Sequence, residues 1–91
     1  MTNQAVRLGE ICSGHDGAPP RKCVEASPDV FIEGLGAHRQ GDLWAVHVGH
    51  DGRLAKGSDT VFINGKPAAR VGDTITCGSI AATGSGTVFI G

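Results

Sequence analysis

The side chains of this 91-residue chain that could do chemistry are four histidines and three cysteines. In chain order they are Cys12, His15, Cys23, His38, His47, His50 and Cys77. Imidazole nitrogen and thiolate sulfur are donors that Zn²⁺ prefers, and four such ligands from one protein make a structural site without an open coordination position. A single loop histidine is more often exposed and inert, so the spacing of these residues decides whether they form a site.

The spacing can be interpreted because the chain repeats itself. The phrase valine-phenylalanine-isoleucine occurs at residues 30–32, 61–63 and 88–90 and contains all three phenylalanines. Similar residues flank each copy. A period of this length corresponds to one supersecondary unit, so the repeats predict three similar elements arranged around a common centre.

Two potential metal ligands stand in register with these repeats. His50 lies eight residues before Ser58, and Cys77 lies eight residues before Ser85, where both serines precede a Val-Phe-Ile phrase. Ligands at equivalent positions of symmetry-related loops meet at one axis. His47 lies in the same loop as His50 and competes with it, and the register with Cys77 favours His50.

Two further histidines complete the candidate metal site. His38 stands where the second repeat has Ala69, and strand alternation points both side chains inward if Val71 points inward. His15 lies in the third loop of the same kind. We therefore predict one structural zinc ion per chain, with the ligands His15, His38, His50 and Cys77.

The elements that must position these ligands are short β-hairpins. Each Val-Phe-Ile phrase is β-branched and aromatic and ends at glycine or at Asn64-Gly65, the strongest turn signal of the chain. Residues 66–73 are predicted to be a return strand. The candidate ligands other than His38 then lie in loops at residues 10–20, 43–53 and 74–80. No apolar spacing typical of a helix is sustained, so we predict an all-β, three-sided body with little or no helix.

Length and composition restrict the remaining choices. We expect one domain, 1–91, with repeat units at about 9–42, 43–73 and 74–91. The net charge of −1 is scattered, which argues against nucleic acid as a partner. No signal sequence or membrane-spanning apolar run occurs, so we expect synthesis in the cytoplasm. An odd number of cysteines favours reduced thiols or a metal ligand, with a Cys12–Cys23 disulfide as the alternative.

Pro67-Ala68-Ala69-Arg70 resembles the signature of the PAAR-repeat family of type VI secretion systems and contractile phage tails. The resemblance covers about residues 9–91. It implies a small cone with a zinc ion near its tip, held by three histidines and one cysteine. It also implies that the protein is not an enzyme. The family's members form the tip of a membrane-puncturing injection apparatus, where they cap and sharpen a trimeric spike of the VgrG kind or of a phage tail.

The resemblance also implies an assembly. One chain, monomeric by itself, caps one spike trimer, contacts the target membrane transiently, and is delivered outside or into a target cell or becomes part of a virion. The first repeat departs from the signature at His38. The third stops at Gly91 before any Pro-Ala-Ala-Arg, so we expect a bare tip. The alternatives are a small zinc-dependent hydrolase and a free-standing metal-binding module.

Overall fold

Short antiparallel strands make up the regular structure of the part of the chain that the structure describes. This computed structural model describes residues 3–14, 19–47 and 50–91, and for residues 47, 50 and 51 the backbone alone. The strands are β1 (Asn3–Gln4), β2 (Phe31–Ile32), β3 (Leu35–Gly36), β4 (Leu43–His47), β5 (His50–Arg53), β6 (Phe62–Ile63), β7 (Lys66–Pro67) and β8 (Phe89–Ile90). The described residues form no helix, so the all-β prediction is confirmed. None of them therefore belongs to a helix long and apolar enough to cross a membrane.

The first two Val-Phe-Ile phrases each enter a two-residue hairpin turn. β2 pairs with β3 around Glu33-Gly34, and β6 pairs with β7 around Asn64-Gly65. Both turn residues have positive φ, 50° and 81° in the first turn and 55° and 77° in the second. Such turns match the twist of the strands that they join, and Asn-Gly adopts them readily. The predicted turn at Asn64-Gly65 is confirmed.

The third Val-Phe-Ile phrase is completed by the N-terminal part of the chain. β8 pairs with β1 in the same antiparallel manner as β2 with β3. The amide of Ala5 donates to the carbonyl of Val88 at 2.9 Å, just as Ala68 donates to Val61 at 2.9 Å. The residues after β1 therefore serve as the third return strand, whereas the sequence alone suggests that the third copy stops at Gly91.

The three return strands meet in a ring of backbone hydrogen bonds. Val6 donates to the carbonyl of Ala69 at 3.1 Å, Ala69 donates to His38 at 3.0 Å, and His38 donates to Val6 at 3.0 Å. We call these three residues the axial triangle. Because each member donates to the next and the last returns to the first, the triangle marks a pseudo-threefold axis through the molecule.

Three buried serines make the same hydrogen bonds before each of the three Val-Phe-Ile phrases. The hydroxyl oxygen of each accepts a hydrogen bond at 2.9 Å from the amide of the valine three residues later. Each serine amide in turn donates at 2.8 Å to an alanine carbonyl of a return strand. The serines are Ser27, Ser58 and Ser85, all 4% exposed or less. The repeats therefore share one backbone geometry although their loops differ in length.

Alternation along the return strands divides the core into two layers. The residue before each triangle position is an alanine in a cluster that we call the hairpin layer. Its buried members are Ala5, Ala37, Ile63, Ala68 and Ile90. A second and larger cluster includes Val6 and Ala69 of the axial triangle, and we call it the closed layer. Its buried members are Val6, Cys12, Cys23, Trp44, Leu54, Ala69, Ile75 and Ala81.

Six short segments of the closed layer pair in a closed ring, in which each segment pairs with two others. The paired positions are 11 with 22, 23 with 44, 43 with 53, 54 with 75, 74 with 80, and 81 with 12. One segment pair is the hairpin of β4 and β5, although the sequence predicts a loop over residues 43–53. That prediction is wrong because glycine and histidine obscure the strand pattern, while neighbouring segments on both sides supply pairing partners.

Arg39 and Asp42 form a buried ion pair in the turn that connects the two layers. The Asp42 carboxylate accepts hydrogen bonds from Nε and Nη2 of Arg39 at 2.8 and 3.0 Å and from the Arg39 amide at 3.0 Å. The two side chains are 9% and 1% exposed. We expect Asp42→Ala to lower the free energy of unfolding by about 3–5 kcal/mol, because it leaves a buried guanidinium without its counter-charge.

Asp59→Ala is the matched control for this prediction. Lys56 and Asp59 are also three residues apart, but their side chains are 60% and 81% exposed. Such a pair contributes less than about 1 kcal/mol. Urea denaturation of the wild-type protein and the two variants measures the difference, and equal effects of the two substitutions would contradict the assigned role of Asp42.

Candidate metal centre and exposed hairpin face

The described structure includes the side chains of two of the four predicted zinc ligands, His38 and Cys77. His15 lies outside the described residues. The backbones of His47 and His50 pair opposite each other in the β4–β5 hairpin, but their side chains lie outside the described part of the chain. The choice between these two histidines therefore stays a prediction.

His38 is fully buried on the axis, at the junction of the two layers. Its Nδ1 lies 2.7 Å from the carbonyl oxygen of Glu25 and 2.9 Å from the sulfur of Cys23. The edge of the imidazole meets the ring of Trp44, with centroids 5.0 Å apart and planes at 77°. Polar contacts on one side and the indole on another hold the ring in one orientation.

The other ring nitrogen of His38 has no hydrogen-bond partner among the described residues. Nε2 is buried, and no described group bonds to it. A buried polar atom without a partner costs roughly 1–3 kcal/mol, so such atoms call for a specific explanation. A metal ion would satisfy it, because a neutral imidazole nitrogen is a zinc ligand. His38 thus fits the predicted metal site.

Cys77 lies against the strand that carries His50. A Cβ atom built on Gly52 of β5 would be 3.1 Å from the sulfur of Cys77 and 2.7 Å from Cγ2 of Ile75. Only glycine at position 52 lets the thiol approach the strand this closely. The eight-residue register predicted from the repeats therefore corresponds to real proximity between Cys77 and the backbone of β5.

His38 and Cys77 border the same core cluster. Trp44, which contacts His38, pairs across the hairpin with Gly52, and Cys77 packs against the closed layer that contains Trp44. Residues 3–14, 19–47 and 50–91 contain no group of three or more possible ligands placed to hold a metal ion, with three of the histidine side chains outside that description. No pocket is present in the same described residues.

Several supporting groups escape recognition in the sequence. Ser79 is fully buried, and its hydroxyl oxygen accepts a hydrogen bond at 2.8 Å from the amide of Gly14, the residue before His15. Cys23 and the Glu25 carbonyl hold His38, whereas the sequence suggests only a reduced thiol, a metal ligand or a disulfide with Cys12 for Cys23. The three cysteines are free thiols in the structure. The sequence indicates a special role for Cys23 only when it is compared with the equivalent residues of the other repeats, and the structure is needed to identify them.

Burial shifts the pKa of both members of the His38–Cys23 contact in the direction that favours the neutral form. It is the largest cause that lowers the pKa of His38 from its ordinary 6.5, while the Glu25 carbonyl and Asp42 oppose the shift. Burial also raises the pKa of the Cys23 thiol from 9.0 to about 12, so this cysteine stays protonated at neutral pH. In the metal-free protein both groups are therefore neutral in the folded state.

Metal-free protein should lose stability as the pH falls below about 6.5. In that range the unfolded chain binds a proton at His38 that the folded chain excludes, and the free energy of unfolding falls by up to about 1.4 kcal/mol per pH unit. Denaturation in the presence of a chelator, at several pH values between 5 and 7.5, measures the slope. His38→Gln should flatten it, and an equal slope in that variant would refute the assignment to His38.

Each of the three Val-Phe-Ile phrases exposes its phenylalanine side chain to solvent. Phe31, Phe62 and Phe89 are 60%, 57% and 51% exposed, whereas the isoleucines that follow them turn inward. The pseudo-threefold axis relates the three phenylalanines to one another. Three equivalent exposed aromatic side chains form a candidate binding surface, which we call the phenylalanine face.

Comparison with known proteins agrees with this geometry. The family model of the PAAR motif matches residues 9–83. The NAD(P)(+) glycohydrolase toxin Tse6 and the (p)ppApp synthetase toxin Tas1, both of Pseudomonas aeruginosa, are each 41% identical to this chain over 71 residues, or 78% of it. The double-stranded DNA deaminase toxin A of Burkholderia cenocepacia is 35% identical over 85 residues, or 90% of it. The chain spans 16%, 15% and 6% of these relatives.

Proposed function

Because this chain belongs to the PAAR motif family, we propose that it is the tip of a contractile injection apparatus, where one copy caps and sharpens a trimeric spike. The spike is of the VgrG kind in a type VI secretion system, or its counterpart in a phage tail. The observation that carries the proposal is the pseudo-threefold axis through Val6, His38 and Ala69. A single chain with three similar sides matches the end of a body built from three identical subunits.

The phenylalanine face is the surface that docks onto the spike. Each of its three side chains is more than half exposed, and aromatic side chains dominate the binding energy of many interfaces. The strands β2, β6 and β8 that carry them each pair with one neighbour in the described chain. Their outer edges are open, and a docked spike would cover them.

We also propose one structural zinc ion per chain, bound by His15, His38, His50 and Cys77. The buried Nε2 of His38 without a partner and the Cys77 thiol against β5 support this set. With four protein ligands the ion supplies cross-links between segments and keeps no open position for catalysis. His38 contributes to it from the axial triangle, whereas Cys77 contributes from the closed layer.

The relatives are named as toxins, which suggests that a tip of this kind is delivered together with a toxin. The matched segment makes up 16% of Tse6 and a smaller share of each of the other two proteins. We therefore assign the activities in their names to parts of those proteins that this chain does not match. We propose no enzymatic activity for the chain itself. It is made in the cytoplasm, mounted on the spike, and delivered with it outside or into a target cell, where it contacts the membrane transiently.

Light scattering of the chain mixed with a purified trimeric spike tests the proposal. The complex should have the mass of the trimer plus one chain of 9.3 kDa, and the free chain should be monomeric. Three chains per trimer would contradict the single-cap geometry. Failure to bind any spike encoded beside the gene for this chain would contradict the proposed function.

A further inference from the structure

We propose that the Cys23 thiol and the Glu25 carbonyl form a positioning device for His38, which fixes the proton on Nδ1 and presents Nε2 to the metal. The inference rests on the proposed zinc site for its consequence, although the tautomer itself can be tested without metal. It also assigns Cys23 a role that differs from that of Cys77. Cys23 supports a ligand and is not one.

The contacts of Nδ1 determine where the proton resides. A carbonyl oxygen can only accept a hydrogen bond, so the 2.7 Å contact with Glu25 requires a proton on Nδ1. The Cys23 sulfur donates to the same Glu25 oxygen at 3.3 Å and lies 2.9 Å from Nδ1. These three groups form one small network on a single side of the imidazole. In the neutral ring the lone pair is then on Nε2.

The segment that carries this network is held on two sides. The Cys23 amide donates to the Glu10 carbonyl at 2.8 Å, and the Val24 amide donates to Leu43 at 3.1 Å. The Leu43 amide donates to the Glu25 carboxylate at 2.9 Å. Cys23 is 2% exposed and His38 is fully buried. The device is therefore fixed by strand pairing and is protected from solvent.

The pseudo-threefold axis provides an internal comparison for Cys23. Its amide donates to Glu10, just as the amide of Leu54 donates to Asp42 and that of Ala81 donates to Asp73. The three equivalent positions are thus Cys23, Leu54 and Ala81. Two of them are purely apolar, and the third carries sulfur.

Cys23, which carries the sulfur at its position, contacts His38, which is the polar residue of the axial triangle. His38 has Val6 and Ala69 as its equivalents, and Cys23 contacts His38. The two departures from an apolar core therefore occur together, on opposite sides of one hydrogen-bond contact. Because the two ring nitrogens point in diverging directions, a metal at Nε2 lies away from Cys23, which excludes Cys23 as a fellow ligand.

Nuclear magnetic resonance of ¹⁵N-labelled, metal-free protein at neutral pH tests the tautomer directly. Long-range ¹H–¹⁵N correlations should show Nδ1 of His38 protonated and Nε2 bare. A proton on Nε2, or a mixture of the two tautomers, would overturn the proposal. A protein that binds no zinc but has the expected tautomer would refute the proposed metal site and leave the tautomer assignment standing.

Metal affinity tests the contribution of Cys23, with Cys12 as the matched control. Both cysteines are 2% exposed, and Cys12 contacts the Arg21 amide at 3.2 Å instead of His38. Competition with a chromophoric chelator should show zinc affinity about 10–100-fold weaker in Cys23→Ala, restored in Cys23→Ser and unchanged in Cys12→Ala. Equal losses of zinc affinity in both alanine variants would show that the loss comes from core packing, and would overturn the proposed role of Cys23.

Cobalt as a probe separates a ligand from its support. The Co²⁺-loaded protein should show a thiolate-to-metal absorption band that disappears in Cys77→Ala and persists in Cys23→Ala. The reverse pattern would identify Cys23 as the ligand and overturn the proposal.

Discussion

Zinc-loaded wild-type protein should unfold at a temperature roughly 15–30 °C above that of the same protein with a chelator. An ion present at a thousand times its dissociation constant stabilises the folded state by about 4 kcal/mol. In a domain of this size each kcal/mol shifts the melting temperature by about 4–8 °C. The two core clusters of the described residues contain only thirteen buried residues, several of them alanine, so we expect the proposed zinc ion to contribute a large part of the total stability.

Variants of the ligands show whether the effect comes from the proposed site. His38→Ala should melt at the same temperature with zinc and with chelator, because its remaining ligands cannot hold the ion as tightly. Comparison within one variant removes the separate cost of truncating a buried ring. His50→Ala should behave in the same way and His47→Ala should keep the zinc response. A zinc response that is lost in His47→Ala and kept in His50→Ala would make His47 the ligand.

Replacing all three phenylalanines of the phenylalanine face by serine should weaken spike binding by at least about 100-fold. One dominant interface residue contributes about 2 kcal/mol or more, and each 1.4 kcal/mol is a tenfold change in affinity. Fold stability should change little, because Phe31, Phe62 and Phe89 are each more than half exposed. Isothermal titration of the variant against the trimeric spike measures the loss, and its melting temperature measures the fold.

A triple variant elsewhere on the surface provides the control. Val24, Val46 and Ile80 are 52%, 63% and 43% exposed and belong to the segments around the closed layer. Their replacement by serine removes comparable exposed apolar surface but should leave spike affinity within about threefold, a change of less than 1 kcal/mol. If both triple variants bind equally weakly, the phenylalanine face is not the docking surface.

Repetition made much of the fold predictable. The first two Val-Phe-Ile phrases predicted hairpins, and Asn64-Gly65 predicted a turn whose backbone requires positive φ at both residues. Comparison of His38 with Ala69 singled out a buried side chain, since both residues lie in the axial triangle. These predictions succeeded because each depends on local sequence, or on positions that the repeat relates directly.

The features that sequence did not predict depend on contacts between distant segments. Ala5 serves the third repeat as Ala68 serves the second, but no proline precedes it and almost the whole chain separates it from Val88. The β4–β5 hairpin lacks alternating apolar residues, and its pairing comes from neighbours in the closed layer. The role of Cys23 depends on its contact with His38, which lies on a return strand 15 residues further along the chain.

The pairing of β1 with β8 has a consequence for synthesis of the protein. β1 leaves the ribosome well before its partner residues Phe89 and Ile90, because Phe89 lies 89 − 4 = 85 residues after Gln4. At 5–20 residues per second, β1 waits on the order of ten seconds without its partner. The third side therefore closes only after β8 has emerged, and contacts so distant in sequence form slowly. During that interval the hairpins β2–β3, β4–β5 and β6–β7 can form while β1 remains an unpaired edge, so we expect truncated products to aggregate.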